Sequence, residues 1–247
     1  YVVLIDKKMK MKIYFNQIKN YLKCNSYLYV FVIRYYRSIT YNRSGCKLKN
    51  KNPFSMIYKE NLWECKESVS GWGSTFVSTT SLRKYLPAIF EKYHIDSILD
   101  IPCGDYNWMK YVDKGNLKYI GADIVEELIE INKTKYPGID FRVIDLTKDE
   151  LPQVDLIFCK DCLQHLSYQN IFLAIENIKR SKSKYLLTTS YPLTIRNCDI
   201  NTGDCYSMNL HRKPFYFPKH IDKIKEPLRI AGNEIDKTMY LWEIDKL

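Results

Sequence analysis

Acidic side chains stand at the ends of three successive apolar runs in this 247-residue chain, at Asp100, Asp123 and Asp145. A carboxylate at the end of the second strand, here Asp123, can accept hydrogen bonds from both ribose hydroxyls of an adenosine moiety. Asp145 is followed by the apolar Leu146, a pairing that can receive an adenine amino group and pack its ring. Each Asp alone is more often a turn former or a helix cap than part of a binding site. Their joint order, strand by strand, predicts a nucleoside-binding site.

The loop after the first apolar run reads Pro102-Cys103-Gly104-Asp105. Such a turn places backbone N–H groups at the beginning of a helix, beside the carboxyl edge of the sheet where open α/β sheets bind nucleotides. Asp123 follows Gly104 by nineteen residues, a spacing that agrees with a second strand ending at the same edge. The loop and the carboxylate therefore predict one cofactor crevice.

Short apolar runs alternate with segments of helical periodicity across the second half of the chain, which is typical of βαβ units and a mainly parallel sheet. The predicted strands are Ser97–Ile101, Lys118–Ile124, Asp140–Ile144, Val154–Cys159, Lys184–Thr189 and Lys237–Ile244. The predicted helices are Thr79–Tyr93, Trp108–Val112, Val125–Lys135 and Tyr168–Ser181.

Three segments carry a family resemblance: Ile98–Trp108, Tyr119–Ile124 and Phe158–Leu166. Together they resemble the class I S-adenosylmethionine (SAM)-dependent methyltransferases. Within that superfamily the chain is similar to a group whose first loop reads Pro-Cys-Gly-Asp and which occurs near glycan-building enzymes in bacteria and large algal viruses. The resemblance covers Trp63 to Leu247. It implies an α/β, Rossmann-like fold with a mainly parallel seven-stranded sheet and helices on both faces.

One departure from the superfamily bears on the cofactor. Pro102 and Tyr106 occupy places where the usual loop has glycine, and Gly104 alone is kept. A dinucleotide's pyrophosphate needs those glycines for close backbone approach. SAM has no phosphate, so the departure weakens NAD as the cofactor more than it weakens SAM.

The resemblance implies that SAM is the cofactor and assigns its contacts. Asp123 would hold the ribose, Asp145 and Leu146 the adenine, and the loop from Asp100 to Asp105 the methionine end. The loop Ser70–Thr75 would fold over the pocket as a lid, unless it is an ordinary surface loop. The full set of cofactor contacts expected on this basis is Asp100, Pro102, Cys103, Gly104, Asp105, Trp108, Asp123, Ile124, Asp145, Leu146, Trp72, Ser74, Thr75 and Lys160.

The segment after the fourth strand offers two candidates for a catalytic base, Asp161 and His165. Methyl transfer to a hydroxyl requires alignment of the acceptor and uptake of its proton. Asp161 is the first choice, and His165 the second, although histidine has the more suitable unperturbed pKa near 6.5. The alternatives are a helix-capping role for Asp161 and a packing role for His165.

A long polar insertion follows the fifth strand, where this superfamily usually binds its acceptor. Carboxylates, amides and aromatic rings suit a sugar, and Tyr191, Asp199, Asp204, Tyr206 and Asn209 are the expected substrate contacts. A solvated loop without substrate contact is the alternative. Asp199 and Asp204 could also take part in a divalent-cation site, because hard cations prefer oxygen ligands, but no ordered ligand spacing supports one, so no metal is expected.

The positive charge of the chain lies in its first quarter. The total is +10, yet residues 1–62 hold thirteen Lys and Arg against Asp6 and Glu60, which is +11, so residues 63–247 carry −1. We therefore expect a basic N-terminal arm and linker over 1–62, with apolar residues at near-helical spacing from Ile13 to Leu22, and a methyltransferase domain over 63–247. The aromatic face of the arm could pack on the main domain, or the arm could contact a membrane surface, a partner or a glycan.

Cysteine use and hydropathy indicate the compartment. Three of the eight cysteines fall at strand ends and motif loops of a large α/β domain, which favours reduced thiols in a cytoplasmic setting. The most apolar stretch, Tyr27 to Ile33, is far shorter than the roughly 20 residues needed to span a bilayer. The expected location is cytoplasmic, with the arm as a means of peripheral membrane contact.

These observations favour a SAM-dependent O-methyltransferase acting on a hydroxyl of a sugar or glycan. An RNA or protein methyltransferase is one alternative, with the basic arm tracking phosphates. Nucleic acid is disfavoured because the arm lacks an Arg-rich cluster and no Asn-Pro-Pro-Tyr or Asp-Pro-Pro-Tyr signature follows the fourth strand. The other alternative is a SAM-fold module that binds a ligand without turnover.

Overall fold

The computed structural model describes residues 26–41, 52–227 and 234–247. The helical periodicity expected between Ile13 and Leu22 lies outside these residues. Among the described residues, no helix combines the length and the hydropathy that crossing a bilayer requires.

A seven-stranded sheet forms the centre of the molecule, in the order β3-β2-β1-β4-β5-β7-β6. Neighbours among the first five strands run parallel, whereas β7 is antiparallel to both β5 and β6. This arrangement confirms the expected class I methyltransferase fold. The strands are β1 Ser97–Asp100, β2 Lys118–Asp123, β3 Asp140–Val143, β4 Leu156–Cys159, β5 Tyr185–Ser190, β6 Asp222–Lys225 and β7 Thr238–Glu243.

The sequence analysis missed β6. This strand has four residues, Asp-Lys-Ile-Lys, and it pairs on one side with β7. Its single buried apolar residue, Ile224, is too short a signal for alternation to reveal. Charged side chains are usual on such an edge strand because they discourage pairing with other chains.

Five α-helices are present in the described residues. They are α1 Ser26–Thr40, α2 Pro53–Lys59, α3 Thr80–Lys92, α4 Glu126–Lys135 and α5 Tyr168–Arg180. The last begins where the Ser167 side chain accepts a hydrogen bond from the Asn170 amide. The predicted helix Trp108–Val112 is shorter than expected, because only Met109–Tyr111 is helical, as a 3-10 turn.

Helices cover both faces of the sheet. On one face α5 buries Ile171, Ala174 and Ile178 against Leu99 and Ile157. On the other face α3 and α4 pack with the strands, burying Leu82, Leu86, Ile89 and Ile129 among others. With both faces covered, β1, β4 and β5 are buried along nearly their whole length, as is usual in parallel sheets. The carboxyl edge of the sheet is left to form a cleft.

Candidate active site

Four successive parallel strands end at one edge of the sheet and supply the walls of a cleft. Because β1, β2, β3 and β4 are parallel, the residues after each strand are neighbours there. Asp100, Asp123, Asp145 and Asp161 all line the cleft. The prediction that the strand-end carboxylates converge on one site therefore agrees with the structure.

The loop after β1 is tied to the end of β2. The Cys103 amide donates to the Ala122 carbonyl at 2.7 Å, and the Gly104 amide donates to Asp123 Oδ2 at 3.2 Å. From α4, Asn132 Nδ2 donates to the Gly104 carbonyl at 2.7 Å. Gly104 has φ +56°, a left-handed conformation that glycine adopts without steric cost. These bonds hold the loop in place across the floor of the cleft.

Asp123 has the environment expected of a ribose-binding carboxylate. Besides the bond from Gly104, its Oδ1 accepts from the Val125 amide at 3.0 Å. Burial raises the pKa of Asp123 to about 6. In the described part of the chain no ion pair engages this carboxylate, so its remaining lone pairs are available to hydroxyl donors.

An apolar slot adjoins Asp123 and leads to Asp145. Its walls are Ile124, Leu128, Ile144 and Leu146. Burial opposes ionisation of Asp145, but hydrogen bonds from Lys148 and Thr147 outweigh it and lower the pKa of this carboxyl. An apolar slot flanked by two carboxylates matches an adenosine, so these residues fit the nucleoside part of SAM.

Asp100 lies at the opposite end of the nucleoside slot, at the end of β1. Its Oδ2 accepts from the Tyr119 hydroxyl at 2.6 Å, and burial raises its pKa to about 7. Pro102, Cys103 and Trp108 line the cleft beside it. The amino acid end of SAM would fit in this part of the cleft, with its ammonium group against the Asp100 carboxylate.

The loop over the cleft is fastened at two points. At its beginning, Asp105 accepts from Ser68 Oγ at 2.9 Å, the Val69 amide at 3.1 Å and Ser70 Oγ at 3.2 Å. At its 3-10 turn, Trp72–Ser74, Lys160 Nζ donates to the Gly73 carbonyl at 3.0 Å. Ser70 and Ser74 line the cleft. The loop therefore has the position of a lid, as expected.

Three of the expected cofactor contacts lie elsewhere. Asp105 is occupied with fastening the lid and does not line the cleft. Trp72 lies on the outer side of the lid, 56% exposed, and Thr75 is buried in the lid's own turn with Ser78. These residues shape the lid, so the expectation that they touch the cofactor is corrected.

Asp161 lies in a buried cluster of charges. Lys160 and Lys237 both donate to its Oδ2, and Gln164 Nε2 donates to its Oδ1 at 2.8 Å. Burial alone would raise the pKa of Asp161, but the two ammonium groups hold it well below its ordinary value. The same carboxylate, together with Glu226, raises the pKa of Lys237 against the effect of burial. A carboxylate so stabilised is a poor proton acceptor, so this environment favours His165 over Asp161 as the candidate base.

His165 is better arranged to accept a proton. Its Nδ1 lies 2.9 Å from the carbonyl oxygen of Asp204, which can only accept, so Nδ1 carries the hydrogen. Burial lowers the pKa of His165 below its ordinary value, which keeps the ring neutral. The ring lines the cleft beside Trp63, and no described residue forms a hydrogen bond to Nε2. Nε2 is therefore an available acceptor in the cleft.

The side chains of the polar insertion face inward. Tyr191, Tyr206 and Asn209 are each less than 5% exposed, and none lines the cleft. The Tyr206 hydroxyl donates to the carbonyls of Arg34 and Arg196, and Asn209 Nδ2 donates to those of Pro192 and Thr194. A long loop must satisfy its own buried backbone groups. The expected substrate contacts at Tyr191, Tyr206 and Asn209 are therefore corrected to structural bonds.

Asp199 and Asp204 also bond within the protein. Asp199 Oδ1 accepts from the Tyr168 amide at 2.8 Å, and Asp204 Oδ2 accepts from the Tyr41 hydroxyl. Neither side chain lines the cleft, so the expected substrate role is corrected for both. Asp204 reaches the site through its backbone, by holding His165. Within the described residues no group of three or more His, Cys, Asp or Glu is arranged to hold a metal ion.

An aromatic wall of the cleft was not predicted from the sequence. It consists of Phe54 and Tyr58 of α2, with Trp63 just beyond the helix, and all three line the cleft. The i, i+4 spacing of Phe54 and Tyr58, after the Asn52 cap and Pro53, was the available signal. That signal predicts a helix with an apolar face, but not what the face packs against.

Comparison with known proteins agrees with this geometry. The family model described as "Methyltransferase domain" matches residues 98–183, from β1 to the end of α5. The chain is 28% identical over 130 residues to "Putative methyltransferase 235L" of Invertebrate iridescent virus 6, covering 49% of each chain. It thus spans about half the length of this curated relative.

Solved structures show the same fold at low sequence identity. The N-methyltransferase NodS from Bradyrhizobium japonicum, in complex with S-adenosylhomocysteine (SAH), has a TM-score of 0.55 and 9% identity, over 78% of this chain and 98% of NodS. The 1,6-didemethyltoxoflavin-N1-methyltransferase of Burkholderia thailandensis has a TM-score of 0.53 and 10% identity, over 77% and 84%. The fold is thus that of class I methyltransferases. The domain match and the cleft support SAM as the cofactor.

Proposed function

We propose that this protein is a SAM-dependent O-methyltransferase that uses His165 as general base on a hydroxyl of a sugar or glycan. The observation that carries the proposal is that His165 lines the cleft while its Nδ1 is bonded to the Asp204 carbonyl, which leaves Nε2 as the ring's acceptor. Bound SAM supplies a methyl group on a positively charged sulfur. Transfer to a hydroxyl oxygen releases one proton, and Nε2 is placed to take it.

The remaining residues of the cleft are placed to orient the two reactants and exclude water. Asp123 and the apolar slot beside it would hold the nucleoside, while the lid, fastened through Asp105 and Lys160, limits access of solvent. The ring of Trp63 lies 5.7 Å from the His165 ring, and Phe54 and Tyr58 line the same cleft, so the cleft has flat apolar surfaces. Such surfaces suit the apolar face of a sugar ring. The support for a sugar acceptor therefore comes from the aromatic wall, because the polar insertion gives none.

The test is methyl transfer from radiolabelled SAM to a panel of monosaccharides, sugar nucleotides and polysaccharides, with a short RNA alongside. We expect label on a sugar hydroxyl. His165→Gln should lower kcat by on the order of 10²-fold or more while SAH binding is kept. The exposed His94, changed to Gln, is the matched control and should leave kcat unchanged.

The pH profile provides a second readout. Since burial lowers the pKa of His165, the ring is already neutral at pH 7, so kcat/KM should be flat there and fall only below the ordinary histidine value near 6.5. Wild-type kcat in His165→Gln would contradict the role of His165. If only the RNA were labelled, the acceptor would be RNA and not a sugar, and the assignment of SAM as the cofactor would be unaffected.

A further inference from the structure

One charged residue of helix α1, Arg34, faces the body of the protein. Arg34 is 3% exposed, and its guanidinium makes paired contacts with Asp236, Nη1 to Oδ2 at 2.9 Å and Nη2 to Oδ1 at 2.8 Å. It lies 4.9 Å from the centre of the Tyr191 ring, and the Tyr206 hydroxyl donates to its carbonyl oxygen. Val30, one turn earlier, is also buried. These contacts fix which side of α1 faces solvent.

The side of α1 that faces solvent is apolar. Tyr27, Tyr35 and Ile39 are 51%, 44% and 50% exposed, and Phe31 and Val32 lie half-buried between them. Their spacing of three and four residues places them on one stripe, which we name the outer face of α1. An ordinary surface helix buries its apolar stripe and exposes its charges. The reversed arrangement marks an interaction surface.

The charge of the sequence segment that contains α1 indicates what this surface meets. Residues 1–62 carry +11, against −1 for the rest of the chain. A second copy of the chain would cover the apolar stripe but would bring two strongly basic segments together. A nucleic acid would match the charge but leave the stripe in water.

We propose that the outer face of α1 docks the protein on an anionic membrane surface. There, aromatic and aliphatic side chains enter the boundary between headgroups and acyl chains while basic residues pair with anionic headgroups. Apolar insertion and a polybasic segment together give stable peripheral binding where either alone is weak. The 15 residues of α1 are long enough to lie along a membrane surface. This proposal is independent of the methyl-transfer proposal.

The test is co-sedimentation of the full chain with vesicles of phosphatidylcholine containing roughly one-third phosphatidylserine, and with phosphatidylcholine alone. We expect binding to the anionic vesicles that weakens as salt rises, and much weaker binding to the neutral ones. The double variant Tyr35→Glu, Ile39→Glu should lose at least about tenfold in vesicle affinity. The matched control is Tyr85→Glu, Ile131→Glu, whose side chains are similarly exposed, at 47% and 51%, on α3 and α4. The control should bind as the wild type does.

SAH binding measured on all three proteins shows that each is folded, and it should be unchanged. Failure of the folded wild type to bind anionic vesicles would overturn the proposal. Equal vesicle binding by Tyr35→Glu, Ile39→Glu would also overturn it, because the outer face would then not be the contact. A dimer in sedimentation that the same double variant dissolves would assign the surface to a second copy instead.

Discussion

The strand ends and the polar insertion are two regions that look equally functional in the sequence and have different roles in the structure. At the strand ends, Asp100, Asp123 and Asp145 line the cleft. In the insertion, Tyr206 and Asn209 are buried and bonded to the protein's own carbonyl groups. The difference arises because sheet topology alone brings strand ends together, whereas a long loop must first satisfy its own backbone. Polar residues in an insertion are therefore weaker evidence of a binding site.

The largest expected effect on stability comes from changing Asp161. This residue follows a strand, as the other cleft carboxylates do, but its carboxylate pairs with two buried lysines. Asp161→Asn leaves the ammonium groups of Lys160 and Lys237 buried without their shared carboxylate. We expect a loss of about 3 kcal/mol in the free energy of unfolding by denaturant titration. Asp245→Asn, which breaks an exposed pair with Lys246, is the control and should change little.

The pH dependence of this stability has a definite sign. Because the pKa of Asp161 is lowered in the folded protein, its contribution is present above the unfolded value near 3.9 and is lost as pH falls through the folded pKa. The acid-induced decline should be shallower in Asp161→Asn than in the wild type. An unchanged free energy of unfolding in this variant would show that the cluster does not stabilise the fold.

Gly104→Ala tests the strand-end loop itself. A Cβ there would lie 2.1 Å from Ser70 Oγ and 2.8 Å from Ser70 Cβ, so the lid would have to move, and the backbone has positive φ. We expect a stability loss of about 1–3 kcal/mol and at least about tenfold weaker SAH binding. Gly115→Ala shares the positive φ but meets nothing within 4 Å, so it should cost less stability and leave SAH binding intact. Equal SAH affinities in the two variants would show that the lid does not depend on this contact.

Tyr206→Phe gives the smallest effect and tests the insertion. The change removes the hydroxyl that bonds the carbonyls of Arg34 and Arg196, at 2.9 and 3.0 Å. We expect a stability loss of about 1 kcal/mol by thermal or chemical unfolding, with SAH affinity and methyl transfer unchanged. Loss of activity without loss of stability would indicate that Tyr206 contacts the substrate.

The sequence predicted the part of the site that depends on chain order. Asp123 could be placed because strand periodicity and the nineteen-residue spacing from Gly104 define a βαβ unit. The surroundings of Asp161 could not be predicted, because Lys237 is 76 residues away in the chain and is brought close by its position directly before β7. The order of Asp161 and His165 as candidate bases could not be decided from the sequence for that reason, because the proton affinity of each depends on neighbours that the local sequence does not reveal.

The aromatic wall shows the same limit. Phe54 and Tyr58 belong to a seven-residue helix within the segment assigned to the arm, yet they line the cleft. The periodicity of a short helix predicts an apolar face, but it does not predict which distant surface that face packs against. Similarly, the reversed polarity of α1 becomes visible only when the partner of Arg34 is known.

The central claim is that the cleft binds SAM through the strand-end residues, and calorimetric titration with SAH tests it most directly. The wild type should bind SAH with micromolar affinity and NAD not at all. Asp123→Ala should lose at least about a hundredfold in affinity while keeping its fold by circular dichroism, because the variant lacks the buried carboxylate that would accept hydrogen bonds from the ribose hydroxyls. Tyr206→Phe, from the insertion, should bind as the wild type does. Absence of SAH binding to the wild type, or undiminished binding to Asp123→Ala, would contradict the account.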